Sequence, residues 1–529
     1  MPPGSAFFPV VLRARIVTKS VMIKTSVVVA MILVFAAPCR STSAQTALVQ
    51  ALPAQTAANR YQQKLQPVLE KLIHEQQVPG FAISVVEDNR VVYAAAFGVK
   101  NVTRSDDPIT TRSLFHMASI TKTFVATSIM QLVEAGKIDL DAPLVKYLPY
   151  FRMADERYKI ITIRQMVTHT SGIPDVDDYE WSKPQYDDGA LERYVRSLSN
   201  LKLDFAPGQR FQYSNMAFEV LGDVIAKVSG ESFDDYVQHH ILAPLGMKDS
   251  TLLVKEAEPG LLVWGHELDE TGNPFPSKVY PYNRIHSPSS DLHSNVLDMA
   301  RWAIANMNRG ELDGVRILKS STYEMMWKSA GKFNGKASPP GISWFLDTYR
   351  GTKVISHDGG DTGFLTELAM LPDKKIAVVW LANADWIPNT DGITEAALDV
   401  ALGLKPKPIE GKRSIAQAMF STYSNSGIEA AVKQYETLKK LRPDDYNFRP
   451  GQLNAIGRYL LRSGHTKDAI RIFQLNVATY PTSADALDAL GLAYEKDGDN
   501  ALAISNYEKA LHFDRKQAHA ADALKRLRN

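Results

Sequence analysis

A serine and a lysine three residues apart, at the start of an apolar segment, constrain this chain more than any other feature. The segment runs from His116 to Gly136 and contains Ser119-Ile-Thr-Lys122. Because it is apolar on nearly every side and ends at a glycine, it predicts a helix inside a core. Residues i and i+3 share a helix face, so the Lys122 amine can reach the Ser119 hydroxyl. The segment therefore predicts a nucleophile beside its own base, at a helix N-terminus that favours a developing negative charge.

Two later segments support this interpretation, which the Ser-x-x-Lys spacing alone does not carry. An ordinary capping serine followed by a solvated lysine gives the same spacing. Tyr213-Ser-Asn215 follows a Pro-Gly turn and precedes an apolar stretch, 217–228, that predicts another helix. A glycine-rich segment that begins at His357 predicts a strand edge before the apolar run 376–381. Taken singly, Tyr213 fits a core aromatic residue, Asn215 a helix N-cap and His357 a turn residue.

The chain resembles the penicillin-recognising serine hydrolases in three motifs that occur in the same order: Ser119-x-x-Lys122, Tyr213-x-Asn215 and His357-x-Gly359. It is similar to class C β-lactamases, serine D-Ala-D-Ala carboxypeptidases and β-lactamase-fold carboxylesterases. The resemblance covers roughly residues 60–403. It implies an α+β fold, in which an antiparallel sheet flanked by helices joins an all-helical lobe.

The predicted strands indicate the same architecture. They lie at both ends of this region, with a long helix-rich insertion between them that contains Tyr213, so one sheet is assembled from distant segments and the site lies in the cleft beside it. A helix over Tyr61 to Gln77 is expected to lie against the sheet. The predicted strands are 80–86 and 91–97, joined by the hairpin signal Asp88-Asn89, and three more near 342–348, 364–371 and 375–381.

The resemblance also implies how the motif residues act. Ser119 attacks a carbonyl carbon to form an acyl-enzyme, and Lys122 is the proton acceptor, coupled to the hydroxyl of Tyr213. The oxyanion hole is expected to be the backbone N–H groups of Ser119 and Gly360.

Three further residues are expected to bind the substrate. Asn215 is expected to orient Lys122 and to donate to a substrate amide. His357 is expected to contact a substrate carboxylate or the network around the serine. Gly359 is expected to be required because a side chain there would keep the substrate from the strand edge. Neither a cofactor nor a metal is expected, since the histidines lack metal-ligand spacing.

The chain departs from the family at two places. Class C β-lactamases carry Lys-Thr-Gly as their third motif, whereas this chain has His357-Asp-Gly359. Histidine is mostly neutral at pH 7, so the permanent positive charge that would bind a substrate carboxylate is missing, which favours a peptidase or an esterase over a β-lactamase. In addition, Ser290-Asp291 stands where the family often has a glycine pair. The alternative function is a catalytically silent ligand-binding protein that acts through helical repeats, and the intact serine, lysine and tyrosine argue against it.

Composition and the N-terminus indicate an exported soluble protein. A net charge of +2 from interspersed residues excludes a nucleic-acid surface. Basic residues followed by the apolar run 27–37 and small residues predict a signal peptide over residues 1–44, then a linker over 45–59. Export to a bacterial periplasm, or secretion, fits these features. Pro38 argues against a lipid anchor at Cys39, the only cysteine.

The tail, residues 410–529, shows a period of 34 residues. Glycine, alanine and aromatic positions recur at this spacing, which is typical of tetratricopeptide repeats, an α-solenoid. The repeats either bind a protein partner in a groove or cap the hydrolase domain, and both interpretations stay open. The repeating pairs are Gly457 and Gly491, Gly464 and Gly498, Ala469 and Ala503, and Phe473 and Tyr507.

Overall fold

A computed structural model describes residues 57–176, 178–269, 272–329 and 341–528, together with the backbone of the short strands Lys332–Phe333 and Lys336–Ala337. The predicted signal peptide lies outside these residues. The predicted linker overlaps them only at 57–59, and there the prediction is wrong, because 57–64 is helical. None of the described helices is long and apolar enough to span a bilayer.

A six-stranded antiparallel sheet forms the centre of the first domain. Its strands are β1 (Gly80–Glu87), β2 (Arg90–Gly98), β3 (Phe345–Tyr349), β4 (Thr352–Asp361), β5 (Phe364–Leu371) and β6 (Ile376–Ala382). They lie in the order β3-β4-β5-β6-β1-β2. Strand β1 joins the early hairpin to the late strands, with Ile83 opposite Trp380. The antiparallel sheet assembled from both ends of the region is therefore confirmed.

Both faces of the sheet are buried. Alternate residues of β1 point to opposite sides, so Ala82 joins the core beneath the helical lobe and Phe81 joins a second core on the other face. The helices of this domain are α1 (Gln66–Gln76), α2 (Thr121–Glu134), α3 (Ile163–Val167), α4 (Ala190–Ser197), α5 (Asn215–Ser229), α6 (Phe233–Val237), α7 (Ser287–Ser290), α8 (Val296–Met307), α9 (Ser320–Met326) and α10 (Thr390–Ala401). Shorter two- and three-residue strands are Phe115–His116, His266–Leu268, Pro274–Pro276, His293–Ser294, Glu311–Leu312 and Val315–Arg316.

Helix α2 lies at the centre of the domain. It packs on α5 and α7 of the helical lobe, and Phe124 stacks on Trp302 of α8 with 4.1 Å between ring centroids. Almost every residue of α2 is buried, including its threonines, whose hydroxyls donate to backbone carbonyls of the preceding turn. The predicted apolar helix that carries Lys122 is thus confirmed, and it ends before Gly136, whose φ is +68°.

The tail consists of seven described helices, most of which pack on the next helix along the chain. At Gly457 an added Cβ would lie 2.5 Å from the Phe473 ring, and at Gly491 one would lie 2.7 Å from the Tyr507 ring. The 34-residue period therefore places a glycine against an aromatic ring in each pair, although the assignment to tetratricopeptide repeats stays a prediction. The helices are α11 (Ile415–Ser426), α12 (Ile428–Leu441), α13 (Pro450–Arg462), α14 (Thr466–Thr479), α15 (Ala484–Asp497), α16 (Asn500–Phe513) and α17 (Ala518–Arg528), and the parallel strand pair Arg413–Ser414 and Tyr446–Asn447 precedes and interrupts them.

The first helical pair of the tail is joined to the hydrolase domain. Arg413 is 1% exposed and donates to the Gln76 side chain at 3.0 Å and to the Glu75 carbonyl at 3.3 Å. Buried Glu267 accepts a hydrogen bond from Ser421 of α11 at 2.8 Å. Residues of α11 to α15 share one apolar cluster with the sheet, whereas the last helices form a cluster of their own. The start of the tail thus caps the hydrolase, and its far end does not.

Candidate active site

The serine lies in a strained turn that leads into α2. A short 3₁₀ segment, Ala118–Ile120, precedes the helix, and Ala118 adopts a φ of +47°, which is uncommon for a residue with a side chain. The Thr121 hydroxyl donates to the Ala118 carbonyl at 2.7 Å and holds this turn. Ser119 therefore stands at the N-terminus of a buried helix, where backbone N–H groups lack helical acceptors, and its own N–H is available for an oxyanion.

Lys122 is the base that the sequence predicts, and it is completely buried. Its Nζ lies 2.9 Å from Ser119 Oγ and donates to the Ser289 carbonyl at 2.8 Å. Burial lowers the Lys122 pKa to about 8, although four surrounding carboxylates act in the opposite direction. A substantial fraction of the amine is therefore neutral near physiological pH and can take the proton of Ser119.

The Tyr213 ring covers Lys122, with Nζ 5.1 Å from the ring centroid. Its hydroxyl is buried and makes no hydrogen bond of normal geometry to any described residue, although it lies close to the Ser119 hydroxyl. Burial raises the Tyr213 pKa above its ordinary value, and the Ser119 hydroxyl only partly offsets this. Tyr213 is therefore protonated at neutral pH and suits a proton carrier better than a permanent base.

The His169 ring packs against Tyr213. The two rings stack with 4.2 Å between centroids, and His169 Nδ1 accepts the Ser214 N–H at 3.1 Å. Burial lowers the His169 pKa well below its ordinary value, so the ring is neutral. It positions the tyrosine and does not act as a base.

Asn215 differs from its expected role. Its side-chain amide donates to Asp175 at 3.0 Å, and its backbone N–H donates to the same carboxylate at 2.8 Å. Among the described residues, the hydrogen bonds of Lys122 are with Ser119 and Ser289, so Asn215 does not orient the lysine through a hydrogen bond. Nor is Asn215 the helix cap, because Ser214 accepts the Ala217 N–H at 3.0 Å. Asn215 nonetheless lines the cavity beside the serine.

Strand β4 brings the third motif against the nucleophile turn. Its pairing with β3 ends at Ser356, so the segment from His357 to Asp361 extends past β3 and leaves an open edge. A Cβ on Gly359 would lie 2.4 Å from the Met117 carbonyl oxygen and 2.4 Å from Thr366 Oγ1. A side chain at this position would therefore meet the protein's own backbone, whereas the expected role of Gly359 towards the substrate stays a prediction.

Gly360 and His357 lie on opposite faces of β4. Gly360 is exposed and lines the cavity with Ser119, as the predicted oxyanion hole requires. His357 is 2% exposed, and its Nδ1 lies 2.7 Å from the Asp358 carbonyl. Burial lowers the His357 pKa to about 4, so this residue is neutral at pH 7 and provides no positive charge for a substrate carboxylate.

A buried network behind Lys122 could not be predicted from the motifs. Ser289, whose carbonyl accepts from Lys122, donates through its hydroxyl to Glu219 at 2.6 Å. The same Glu219 oxygen lies 3.0 Å from His286 Nδ1, and the Glu219 and His286 side chains are fully buried. Glu219 is the largest electrostatic influence that raises the Lys122 pKa. The sequence hints at an unusual loop here only because Ser290-Asp291, next to Ser289, stands where the family often has a glycine pair.

The loop that contains Ser289 also lines the cavity, through the next residue, Ser290. Ser290 donates to Asp361 at 3.0 Å, and His116 Nε2 lies 3.2 Å from the same carboxylate oxygen. The cavity has a volume of about 410 Å³. Within the described ranges, no three acidic, histidine or cysteine side chains are grouped as ligands of one metal ion. The cavity is lined by Ser119, Tyr179, Tyr213, Asn215, Ser290, Phe345, His357, Asp358, Gly360 and Asp361.

This fold and this arrangement of serine, lysine and tyrosine are typical of the penicillin-recognising serine hydrolase family. The beta-lactamase family profile matches residues 58–402, and the chain belongs to that family. Penicillin-binding protein 4 of Amycolatopsis lactamdurans is 29% identical over 317 residues, which cover 58% of this chain and 82% of that protein. Protein flp of Staphylococcus aureus strain MW2 is 26% identical over 334 residues, 63% of this chain, and the chain spans only 65% of its length.

Two solved structures share the fold. The octameric penicillin-binding protein homologue from Pyrococcus abyssi is 30% identical with a TM-score of 0.57, and the match covers 65% of this chain and 78% of that one. D-alanine carboxypeptidase AmpC from Burkholderia cenocepacia is 22% identical with a TM-score of 0.53, over 66% of this chain and all of that one. The second likeness concerns the fold alone.

Proposed function

We propose that this protein is an exported serine hydrolase that forms an acyl-enzyme on Ser119 and hydrolyses an amide or ester bond. The observation that carries the proposal is the 2.9 Å contact between Ser119 Oγ and the buried amine of Lys122. Burial lowers the Lys122 pKa to about 8, so the amine is a competent base near neutral pH. A D-alanyl peptide and a small carboxylic ester are the candidate substrates from the sequence, with weak β-lactam hydrolysis as a third.

The proposed reaction follows from the positions of the groups. Neutral Lys122 takes the proton as Ser119 Oγ forms a bond to the carbonyl carbon. The N–H groups of Ser119 and Gly360 stabilise the oxyanion, each donor contributing about 3 kcal/mol to the transition state. Tyr213 passes a proton to the leaving group, and Lys122 restores it. Water then cleaves the ester and regenerates the serine.

The alternative from another class is a silent binding protein that acts through its helical tail. The joining of the first helical pair to the hydrolase favours a structural role for that part of the tail. The far end, α16 and α17, is the part we propose for a protein partner. Intact contacts among Ser119, Lys122 and Tyr213 support the enzyme over the silent module.

Covalent labelling tests the proposal. The purified chain is exposed to a fluorophosphonate and to a fluorescent penicillin, and intact mass is measured for the wild type, Ser119→Ala and Ser424→Ala. Ser424 is an exposed helix serine of the tail and is the matched control. We expect an adduct in the wild type and Ser424→Ala that disappears in Ser119→Ala.

The pattern of labelling also separates the candidates. Labelling by the fluorophosphonate alone indicates an esterase or peptidase that rejects penicillin. Absence of both adducts in a folded sample refutes the proposal and favours the binding protein.

A further inference from the structure

The catalytic cavity is acidic. Two carboxylates, Asp358 and Asp361, line it, and among the described lining residues there is no lysine or arginine. Lys122 lies below the cavity, buried under Tyr213 and bonded to Ser289. Any charged group of a substrate therefore meets negative charge before it meets the amine.

The two carboxylates differ in how they are held. The Asp361 side chain is held in place, because Ser290, His116 and the Thr362 N–H all contact its carboxylate. Asp358 is exposed, and no hydrogen bond or ion pair of its side chain is found among the described residues. It stands between His357 and Gly359 on the open edge of β4, two residues from the proposed oxyanion donor Gly360. A free carboxylate at this position can bind a cation on the substrate.

Aromatic rings complete a surface that suits an ammonium group. Phe345 and Tyr179 line the cavity, and Tyr179 stacks on Trp181 with 4.8 Å between centroids. Faces of aromatic rings attract cations, and the attraction grows when water is excluded. A substrate carboxylate would find no positively charged partner among the described lining residues, because burial lowers the His357 pKa to about 4 and leaves that residue neutral.

We infer that the pocket selects substrates with an ammonium group near the scissile carbonyl, with Asp358 as the partner of that group, and disfavours substrates with a carboxylate there. This inference rests on the proposed function and names its substrate class. It distinguishes among the candidate substrates. Peptides and β-lactams that present a free carboxylate beside the scissile bond would be repelled by the carboxylate of Asp358. Amides and esters of amino acids with a free amine fit the charge of the cavity.

Three matched esters test the inference. The benzyl ester of alanine is used with its amine free, acetylated or succinylated, so that the same acyl group carries a positive, neutral or negative charge at pH 7. Both enantiomers are assayed by chromatography, and turnover that remains in Ser119→Ala is subtracted. We expect kcat/KM for the free amine to exceed the acetylated ester by about fivefold, and the acetylated ester to exceed the succinylated one by a similar factor. High salt should reduce both ratios because the charges are partly exposed.

Asp358→Asn is expected to bring the ratio between free and acetylated esters towards one. Asp347→Asn is the matched control, because Asp347 is an exposed aspartate on the neighbouring strand β3, outside the cavity. It should keep the wild-type ratios. The fold of each variant is checked by circular dichroism, and the salt dependence of the wild-type ratios tests the charge effect without any variant.

The outcomes separate the inference from the proposed function. If the fluorophosphonate labels Ser119 but the acetylated or succinylated ester reacts as fast as the free amine, the inference is wrong and the serine hydrolase stands. The same conclusion holds if labelled enzyme leaves the free-amine ester intact, or if Asp358→Asn keeps the wild-type ratios. If no reagent labels Ser119, the proposed function itself fails.

Discussion

Replacing Gly359 with alanine tests how the third motif supports the nucleophile. The new Cβ would lie 2.4 Å from the Met117 carbonyl oxygen and 2.4 Å from Thr366 Oγ1. Neither atom can move freely, since Thr366 Oγ1 itself donates to the Met117 carbonyl at 3.0 Å. A carbon and an oxygen without a hydrogen bond need about 3.3 Å, so β4 and the serine turn must separate by about 1 Å.

This displacement has two expected costs. An extra methyl group in a packed interior typically destabilises a protein by about 1 to 3 kcal/mol. Because Met117 precedes the serine turn and Gly360 follows Gly359, the same movement also pulls the two oxyanion donors apart. A misplacement of about 1 Å in a catalytic site costs about 100-fold in rate. Gly359→Ala should therefore lose both stability and acylation.

Gly360→Ala is the matched control for stability only, because Gly360 is itself a proposed oxyanion donor. An added Cβ there would meet only the Leu365 side chain, at 3.4 Å, which is an ordinary contact. Thermal unfolding is measured for both variants, and the second-order rate of fluorophosphonate labelling is measured for Gly359→Ala and the wild type. We expect Gly360→Ala to unfold within about 1 °C of the wild type, and Gly359→Ala to unfold about 1.4 °C lower per kcal/mol lost, since the shift becomes smaller as the domain becomes larger. Wild-type stability and labelling in Gly359→Ala would refute the packing argument.

Two further predictions concern the base and the tail. Because burial lowers the Lys122 pKa to about 8, the neutral amine is lost as pH falls, and the rate of Ser119 labelling should drop about tenfold per pH unit below 7 and level off above 8.5. A rate that is constant from pH 5 to pH 9, measured with a probe that does not ionise, contradicts this. Arg413→Met should cost about 2 to 4 kcal/mol, because it removes charge-assisted hydrogen bonds to Gln76 and Glu75 in a buried position. Hydrogen exchange should then rise along α11 and α12, and unchanged protection there would show that Arg413 does not hold the tail.

The sheet could be predicted where local turn chemistry and hydrophobic pattern agree. Asp88 and Asn89 take φ of 47° and 63°, which a tight hairpin requires, and the sequence signal for that turn was correct. The start of β3 was predicted three residues too early, at Ile342 in place of Phe345. Ser343 has a φ of +60°, and its N–H donates to the Val167 carbonyl, so this segment is a turn held by the helical lobe. Such a long-range contact leaves no local pattern.

The site shows the same division between local and distant causes. The contact between Ser119 and Lys122 is a property of one helix face, and it was predictable from their spacing. The partner of Asn215 is Asp175, forty positions earlier in the chain, and only the folded loop brings the two together. The packing of Gly359 on Met117 likewise depends on strands that meet across the whole domain. Motif spacing therefore identified the groups that we propose to react, whereas the groups that hold them required the structure.

The pKa of Lys122 shows why those distant groups matter. Burial alone would lower it further, and the carboxylates of Glu219, Asp175, Asp361 and Asp358 limit the change to a value of about 8. Glu219 acts from the buried side, where it is bonded to Ser289, and Asp358 acts from the cavity. Two of these four carboxylates, Asp358 and Asp361, also line the cavity and make it negative. Catalytic basicity and selectivity for substrate charge are therefore set by one electrostatic arrangement, and a change to the cavity carboxylates alters both.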